Sequence, residues 1–167
     1  MKNNSIELPI PTRDGQFIAH YSDKGLAGLD FPKMGQKPAR TMIHDGVSAD
    51  TISRWHRTTE AALKSALAGR AAKNLPPLDR SRGTEFQKKV WDALRNISLG
   101  ETKSYGEIAR AIGKPNAVRA VGSACGANPI PVLVPCHRVL AADKKLGGFS
   151  GGLNWKRTLL AREGVNL

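Results

Sequence analysis

Residues 135–139 read Pro135-Cys136-His137-Arg138-Val139. A thiol attacks carbon only as thiolate, and the imidazole and guanidinium that follow it here are groups able to favour the anion. The chain has two cysteines. The other, Cys125, lies in a small-residue, helix-like stretch without such company. Neighbouring residues of a strand point to opposite faces, so His137 reaches the thiol only if the chain bends there or a water bridges the two. Pro135 removes a backbone donor and lets a strand end at this point. A distant carboxylate would orient the imidazole, and Glu163 is one candidate. On these residues alone Cys136 is either an activated thiol or an inert buried one.

Other chemical signals are weaker. Gly148-Phe149-Ser150-Gly151-Gly152 matches the nucleophile-elbow pattern, but that motif needs a later histidine and His137 is the last one. The glycines 147–152 read as a mobile loop whose N–H groups face a ligand, or as a solvent loop without a role. Phosphate-loop and dinucleotide fingerprints are absent, so no nucleotide cofactor is indicated. His20, His44 and His56 have no neighbours at metal-ligand spacing. Two cysteines without a Cys-x-x-Cys make neither a disulfide framework nor a zinc site. A free thiol fits a reducing cytosol.

The elements that must position Cys136 are legible in the second half. Thr84-Glu85-Phe86-Gln87 is a capping-box pattern that opens a helix with Phe86, Val90, Trp91 and Leu94 on one face. Ser104-Tyr105-Gly106-Glu107 is a second capping box, opening a short helix through Ile112 that Gly113-Lys114-Pro115-Asn116 stops. A third helix runs from about Ala117 to Ala127. Helix, short turn, helix is the layout of a DNA-binding helix-turn-helix, or of an ordinary helical hairpin in a core. The third helix is slim, with Ala120 and Gly122 among its small residues and Arg119 as its long charged side chain. A final helix, about Asn154 to Arg162, buries Trp155, Leu159 and Leu160.

In the first half, Gln16–Tyr21 and Leu26–Phe31 alternate around Ser22-Asp23-Lys24-Gly25 and predict an antiparallel hairpin. Residues 32–50 read as loop. Residues 53–69 read as a helix stopped by Gly69. The Pro-rich, polar stretch 70–83 reads as a connector, dividing an N-terminal domain, 1–80, from a C-terminal one, 81–167. The expected class is α/β (α+β), with a mainly helical second domain.

Lysine plus arginine is 26 against 14 acidic residues, a net charge of +12 in 167 residues. Residues 1–80 carry net +4 and residues 81–167 net +8, so the half holding Cys136 is the better polyanion binder. A hydrophobic content of 40 % supplies a core. The polar opening predicts no secretory leader, and no run of about 18 apolar residues predicts a membrane span.

Taken together these residues resemble the O6-alkylguanine-DNA alkyltransferases, the methylated-DNA–protein-cysteine methyltransferases. The likeness runs from Gly83-Thr84-Glu85-Phe86-Gln87 to Glu163-Gly164. It takes in Ser104-Tyr105, Arg119-Ala120-Val121-Gly122, Gly126-Ala127-Asn128-Pro129, the Pro-Cys-His-Arg-Val pentad and Ser150-Gly151-Gly152-Leu153. The first half matches by layout alone, and the resemblance implies a small ribonuclease-H-like N-terminal domain.

The resemblance also implies an activity and its residues. Cys136 would irreversibly accept the alkyl group of O6-alkylguanine, or of O4-alkylthymine, once per molecule. His137 would deprotonate it through a water, with Glu163 orienting His137 and Asn128 bracing the turn. Tyr105 would donate to N3 of the leaving guanine. Ser150 would bind O6, while carbonyls near Cys136 and Val139 accept from the amino group. Arg119 would replace the flipped nucleotide, with Ala120 and Gly122 in the helix that enters the minor groove. The implied partner is double-stranded DNA containing O6-alkylguanine. The implied protein is a cytoplasmic monomer without a cofactor. Some members hold zinc in the N-terminal domain through cysteine and histidine; residues 1–80 here contain no cysteine, so no metal is expected. A non-catalytic DNA-binding module is the competing reading, since it shares the charge and helix pattern but gives Cys136 no chemical role.

Overall fold

The computed structural model describes residues 5–37 and 46–167. His44 and the middle of the 32–50 stretch lie outside the described residues. The chain begins with three antiparallel strands in sequential order: β1 (Ile6–Thr12), β2 (Gly15–Tyr21) and β3 (Leu26–Asp30). The β2–β3 hairpin is the one the alternation predicts. β1 is an addition, and its Pro9 and Pro11 explain why its pattern is hard to read. Both are tolerated because β1 is an edge strand, where a missing N–H can face away from the ladder.

Helix α1 (Ala49–Leu67) packs on this sheet with Ile52, Ala62, Leu63 and Leu67 buried. It starts before the expected residue 53 because the Ser48 side chain caps the Thr51 N–H, a turn ahead of the apolar pattern. The connector then runs beside the sheet. Leu26 N–H donates to Pro77 O, and Asp79 N–H donates to Leu26 O.

Helix α2 (Glu85–Arg95) follows, with both halves of the Thr84–Gln87 capping box formed. Strand β4 (Lys103–Ser104) leads directly into α3 (Tyr105–Ala111), whose Ser104–Glu107 box is also complete. Gly113, at φ 73°, closes α3: its N–H reaches Arg110 O and the next N–H, of Lys114, reaches Ala109 O. A residue with a Cβ adopts that left-handed conformation at a cost, so glycine makes the sharp stop. Helix α4 (Val118–Gly126) begins after a short turn and packs against both α2 and α3. The Trp91 indole N–H donates to Ala124 O at 2.8 Å, locking α2 to α4.

A single turn of 3-10 helix at Cys136–Arg138 leads into β5 (Val139–Leu140), which pairs in parallel with β4. That two-residue ladder sets Tyr105, at the head of α3, relative to Cys136. Helix α5 (Leu153–Arg162) closes the fold. The buried residues form one continuous core through both halves. Leu29 N–H donates to Pro129 O, and Asp14 pairs with Arg162 through both carboxylate oxygens at 2.7 and 2.8 Å. No helix among the described residues is long and apolar enough to cross a membrane.

Candidate active site

The strand expected to end at Pro135 is not there. Ile130 to Val134 form a tight turn, because Asn128 takes over the hydrogen bonding a strand would have used. Its side-chain oxygen accepts from Ile130 N–H at 3.0 Å and its amide donates to Val134 O at 2.8 Å. Val132 sits at φ 72°, a conformation that costs a β-branched residue about 1–3 kcal/mol and persists only where its surroundings hold it. Pro135 (φ −82°, ψ 64°) then makes an inverse γ-turn, with Cys136 N–H bonded to Val134 O at 2.8 Å. The bend that the Cys-His pair needs is therefore supplied by Asn128 and Pro135.

Cys136 is 4 % exposed and lines a cavity of about 420 Å³. Tyr105 from α3 and Arg119, Gly122 and Cys125 from α4 form one side of that cavity. Gly148, Phe149 and Ser150 of the glycine loop form the other. Arg119 and Ser150 are exposed and Tyr105 is half-buried. Gly122 packs toward the Tyr105 ring, and a Cβ on Gly147 would come within 2.8 Å of the Tyr105 hydroxyl. Ala120 is exposed on α4 and is not part of the lining. Val139 is buried behind the cavity, and its carbonyl accepts from Lys156 Nζ at 2.7 Å.

His137 points away from the cavity into the protein. Its Nε2 lies 2.9 Å from Glu163 Oε1. Arg138 grips the same carboxylate at two points, Nε to Oε2 and Nη2 to Oε1, each 2.9 Å, and donates Nη1 to Ile97 O at 2.7 Å. Burial would raise the Glu163 pKa, but the hydrogen bonds and charges of His137 and Arg138 outweigh it and hold it at about 2. Burial lowers the His137 pKa, and the Glu163 hydrogen bond only partly opposes that. The imidazole is therefore neutral at neutral pH. A carboxylate can only accept, so Nε2 carries the proton and Nδ1 keeps its lone pair. Nδ1 is buried and has no hydrogen-bond partner among the described residues.

The cation beside the thiol in sequence is not the cation that acts on it in space. Arg138 is committed to Glu163 and Ile97. Lys156, twenty residues on, is fully buried and its charge favours the Cys136 thiolate. Burial still dominates and pushes the Cys136 pKa up, with the Asn128 hydrogen bond and Lys156 working against it. Cys125 is pushed up to about 12, by burial first and by Cys136 second. Burial, Cys125 and Cys136 all raise the Tyr105 pKa, while a Gly148 N–H hydrogen bond lowers it. The phenol thus holds its proton at neutral pH.

Lys156, Cys125 and Phe149 are the site residues that sequence reasoning passed over. Lys156 had a signal: it precedes Leu159 and Leu160 at three and four residues and so shares the buried face of α5. Phe149 had none, because its neighbours come from elsewhere in the chain: Phe31 at a ring-centroid distance of 5.6 Å and His137 at 6.5 Å.

Cys136 lines a cavity beside a glycine loop, and the next residue, His137, pairs with Glu163. Residues 85–165 match the family model described as 6-O-methylguanine DNA methyltransferase, DNA binding domain. A methylated-DNA–protein-cysteine methyltransferase of Methanosarcina acetivorans is 58 % identical over 159 residues, covering 95 % of this chain and 96 % of that protein. One from Mycolicibacterium paratuberculosis is 62 % identical over 82 residues, a match spanning only about half of each protein (49 % and 50 %). The crystal structure of Mycobacterium tuberculosis OGT in complex with DNA superposes with a TM-score of 0.71 at 39 % identity, covering 93 % of this chain and 90 % of that one. High identity along nearly the whole chain, with a shared fold, places this protein in the methylated-DNA–protein-cysteine methyltransferase family.

Proposed function

We propose that the protein repairs DNA directly, moving the alkyl group of O6-alkylguanine, and of O4-alkylthymine, onto its own Cys136. The observation that carries this is Cys136 on the wall of a cavity, with the next residue, His137, hydrogen-bonded to Glu163. His137 Nδ1 takes the thiol proton through a bridging water, a route supported by its buried, unpartnered lone pair. The sulfur attacks the alkyl carbon, a C–S bond forms, and the C–O6 bond breaks with its electrons going to guanine. Tyr105 gives its proton to N3, so guanine departs neutral. Ser150 steadies O6, and the carbonyls of Cys136 and Val139 accept from the exocyclic amine; the Val139 oxygen has a second lone pair beside the one Lys156 uses. The thioether is a very poor leaving group, so each molecule acts once.

An O6-alkyl group is buried in duplex DNA, so the base must leave the stack. Helices α3 and α4, read as a helix-turn-helix, support this, because Arg119 stands exposed beside the cavity on a slim helix with Ala120 and Gly122. The slim face enters the minor groove and Arg119 fills the hole the base leaves. The DNA complex of the mycobacterial relative supports the partner. The sheet and α1, within residues 1–80, suit a ribonuclease-H-like domain set against the DNA-binding domain of residues 81–167. The protein works as a cytoplasmic monomer.

Incubation with duplex DNA carrying O6-methylguanine tests the reading by intact mass. One methyl increment, located on Cys136, is expected. No increment on a demonstrably free thiol would leave only a DNA-binding module.

A further inference from the structure

We propose that a second cavity, walled in part by the turn that leads to Cys136, binds a small phosphate monoester carrying an apolar group, with Arg70 and Arg95 holding the phosphate. The two cavities share no lining residue, so this site goes beyond the alkyl-transfer reading and stands apart from it.

The cavity has a volume of about 220 Å³ and lies where the ends of α1 and α2 meet the connector. Arg70, Arg95 and Arg138 line it, and no carboxylate does. The charge of Arg138 is met by Glu163. Arg70 and Arg95 are exposed, and among the described residues neither has an acidic partner. One guanidinium at a helix C-terminus is ordinary, and Arg95, in the last turn of α2, is placed that way. Two of them from separate elements, lining one cavity, repel each other until an anion enters. A phosphate monoester carries about −1.5 to −2 at neutral pH, which matches the two uncompensated charges. The guanidinium fork also fits the spacing of phosphate oxygens.

The backbone that carries Arg70 is fixed before any ligand arrives, which lowers the ordering cost of binding. Gly69, at φ 70°, closes α1 so tightly on α5 that a Cβ there would lie 2.0 Å from Arg162 O. The Arg70 N–H then returns to Ser65 O at 2.9 Å. The rest of the wall is apolar. Val132, Leu133 and Pro135 come from the turn before Cys136, Leu75 from the connector, and Leu99, 38 % exposed, from the chain after α2. Inorganic phosphate would leave these side chains in water, whereas a ring beside the phosphate covers them. The volume is below the roughly 300 Å³ at which pockets for drug-sized ligands begin, so the apolar group is small.

The probe is phenyl phosphate, titrated into the full chain at neutral pH and low salt and followed by calorimetry. One site with a Kd on the order of 1 mM is expected, the affinity within reach of so small a ligand. Arg70→Gln and Arg95→Gln should each weaken it at least five-fold, and both variants should fold, since the two side chains are exposed and unpaired. Leu99→Ala should weaken phenyl phosphate and leave inorganic phosphate unchanged. Benzoate, which has the same ring and one charge, should bind several-fold more weakly than phenyl phosphate.

No binding well above that concentration overturns the proposal. So does binding that survives both arginine substitutions but is lost in Arg119→Gln, which would put the ligand in the Cys136 cavity. Equal affinity for benzoate removes the phosphate from the assignment. Duplex DNA is the other source of phosphate, and the salt dependence of its binding separates the two. The slope should be the same in Arg70→Gln and Arg95→Gln as in the wild type; a slope lower by about one in each would make the pair a DNA-backbone contact and overturn the small-ligand site. A protein that binds phenyl phosphate but transfers nothing from O6-methylguanine DNA would sink the repair reading and leave this site standing.

Discussion

Phe31, just past the last strand of the N-terminal sheet, meets Phe149 of the glycine loop edge-on, with ring centroids 5.6 Å apart. Phe31 also packs on Phe17 and Trp155, at 5.5 and 5.1 Å. A Cβ on Gly151 would come within 2.5 Å of the Phe31 ring, so the loop backbone lies directly on it. The sheet thus holds up the loop that walls the cavity. Phe31→Ala should cost about 3 kcal/mol of stability by the usual cost of emptying a buried aromatic site. It should also slow alkyl transfer several-fold where the protein is still folded. Urea unfolding and single-turnover rates check the two effects separately.

Glu163 links the site to acid stability. Its folded pKa is about 2 against an ordinary value of 4.5. A depressed carboxylate contributes stability above the unfolded value and loses it as pH falls through the folded one. On the order of 3 kcal/mol should therefore disappear between about pH 5 and pH 2. His137 acts in the same direction: its folded pKa is lowered, so protonation of the unfolded chain begins to weaken the fold below its ordinary value of 6.5. Unfolding free energy measured against pH should fall steeply on the acid side. Glu163→Gln should be less stable at neutral pH and show a flatter acid limb.

Tyr105→Phe keeps the ring against Gly122 and Gly147 but removes the proton. Transfer from O6-alkylguanine should slow about a hundred-fold, the usual size of a lost general acid. Iodide leaves without a proton, so the reaction of Cys136 with iodoacetamide should keep most of its rate. Equal losses on both reagents would mean that the phenol shapes the site and gives no proton.

Arg119→Ala should slow repair of duplex DNA more than reaction with free O6-benzylguanine, which needs no extrusion. A loss of a few kcal/mol in holding the stack open corresponds to at least a ten-fold difference between the substrates. Competition kinetics on the two substrates measure it, and equal losses would remove Arg119 from base flipping.

Much of this protein was readable from local pattern. Thr84–Gln87 and Ser104–Glu107 each form the reciprocal cap that their spacing requires, because both partners lie within one helical turn. The β2–β3 hairpin follows from alternation around a turn cluster. Cys136, His137 and Glu163 were named from residue type and resemblance, and the fold pairs His137 with Glu163. The edge strand β1 was hidden by Pro9 and Pro11, whose tolerance depends on which side of β1 has a neighbour.

What the sequence by itself determined was the candidate thiol, the caps of α2 and α3, and the excess of positive charge in its half of the chain. Which charge reaches the sulfur was decided only by the tertiary structure. Arg138 is two residues from Cys136, yet the 3-10 turn aims it at Glu163; Lys156 is twenty residues away, yet α5 carries its charge to the thiol. The physical reason is that electrostatic influence follows distance in space and shielding by surrounding atoms. Neither can be read from separation along the chain.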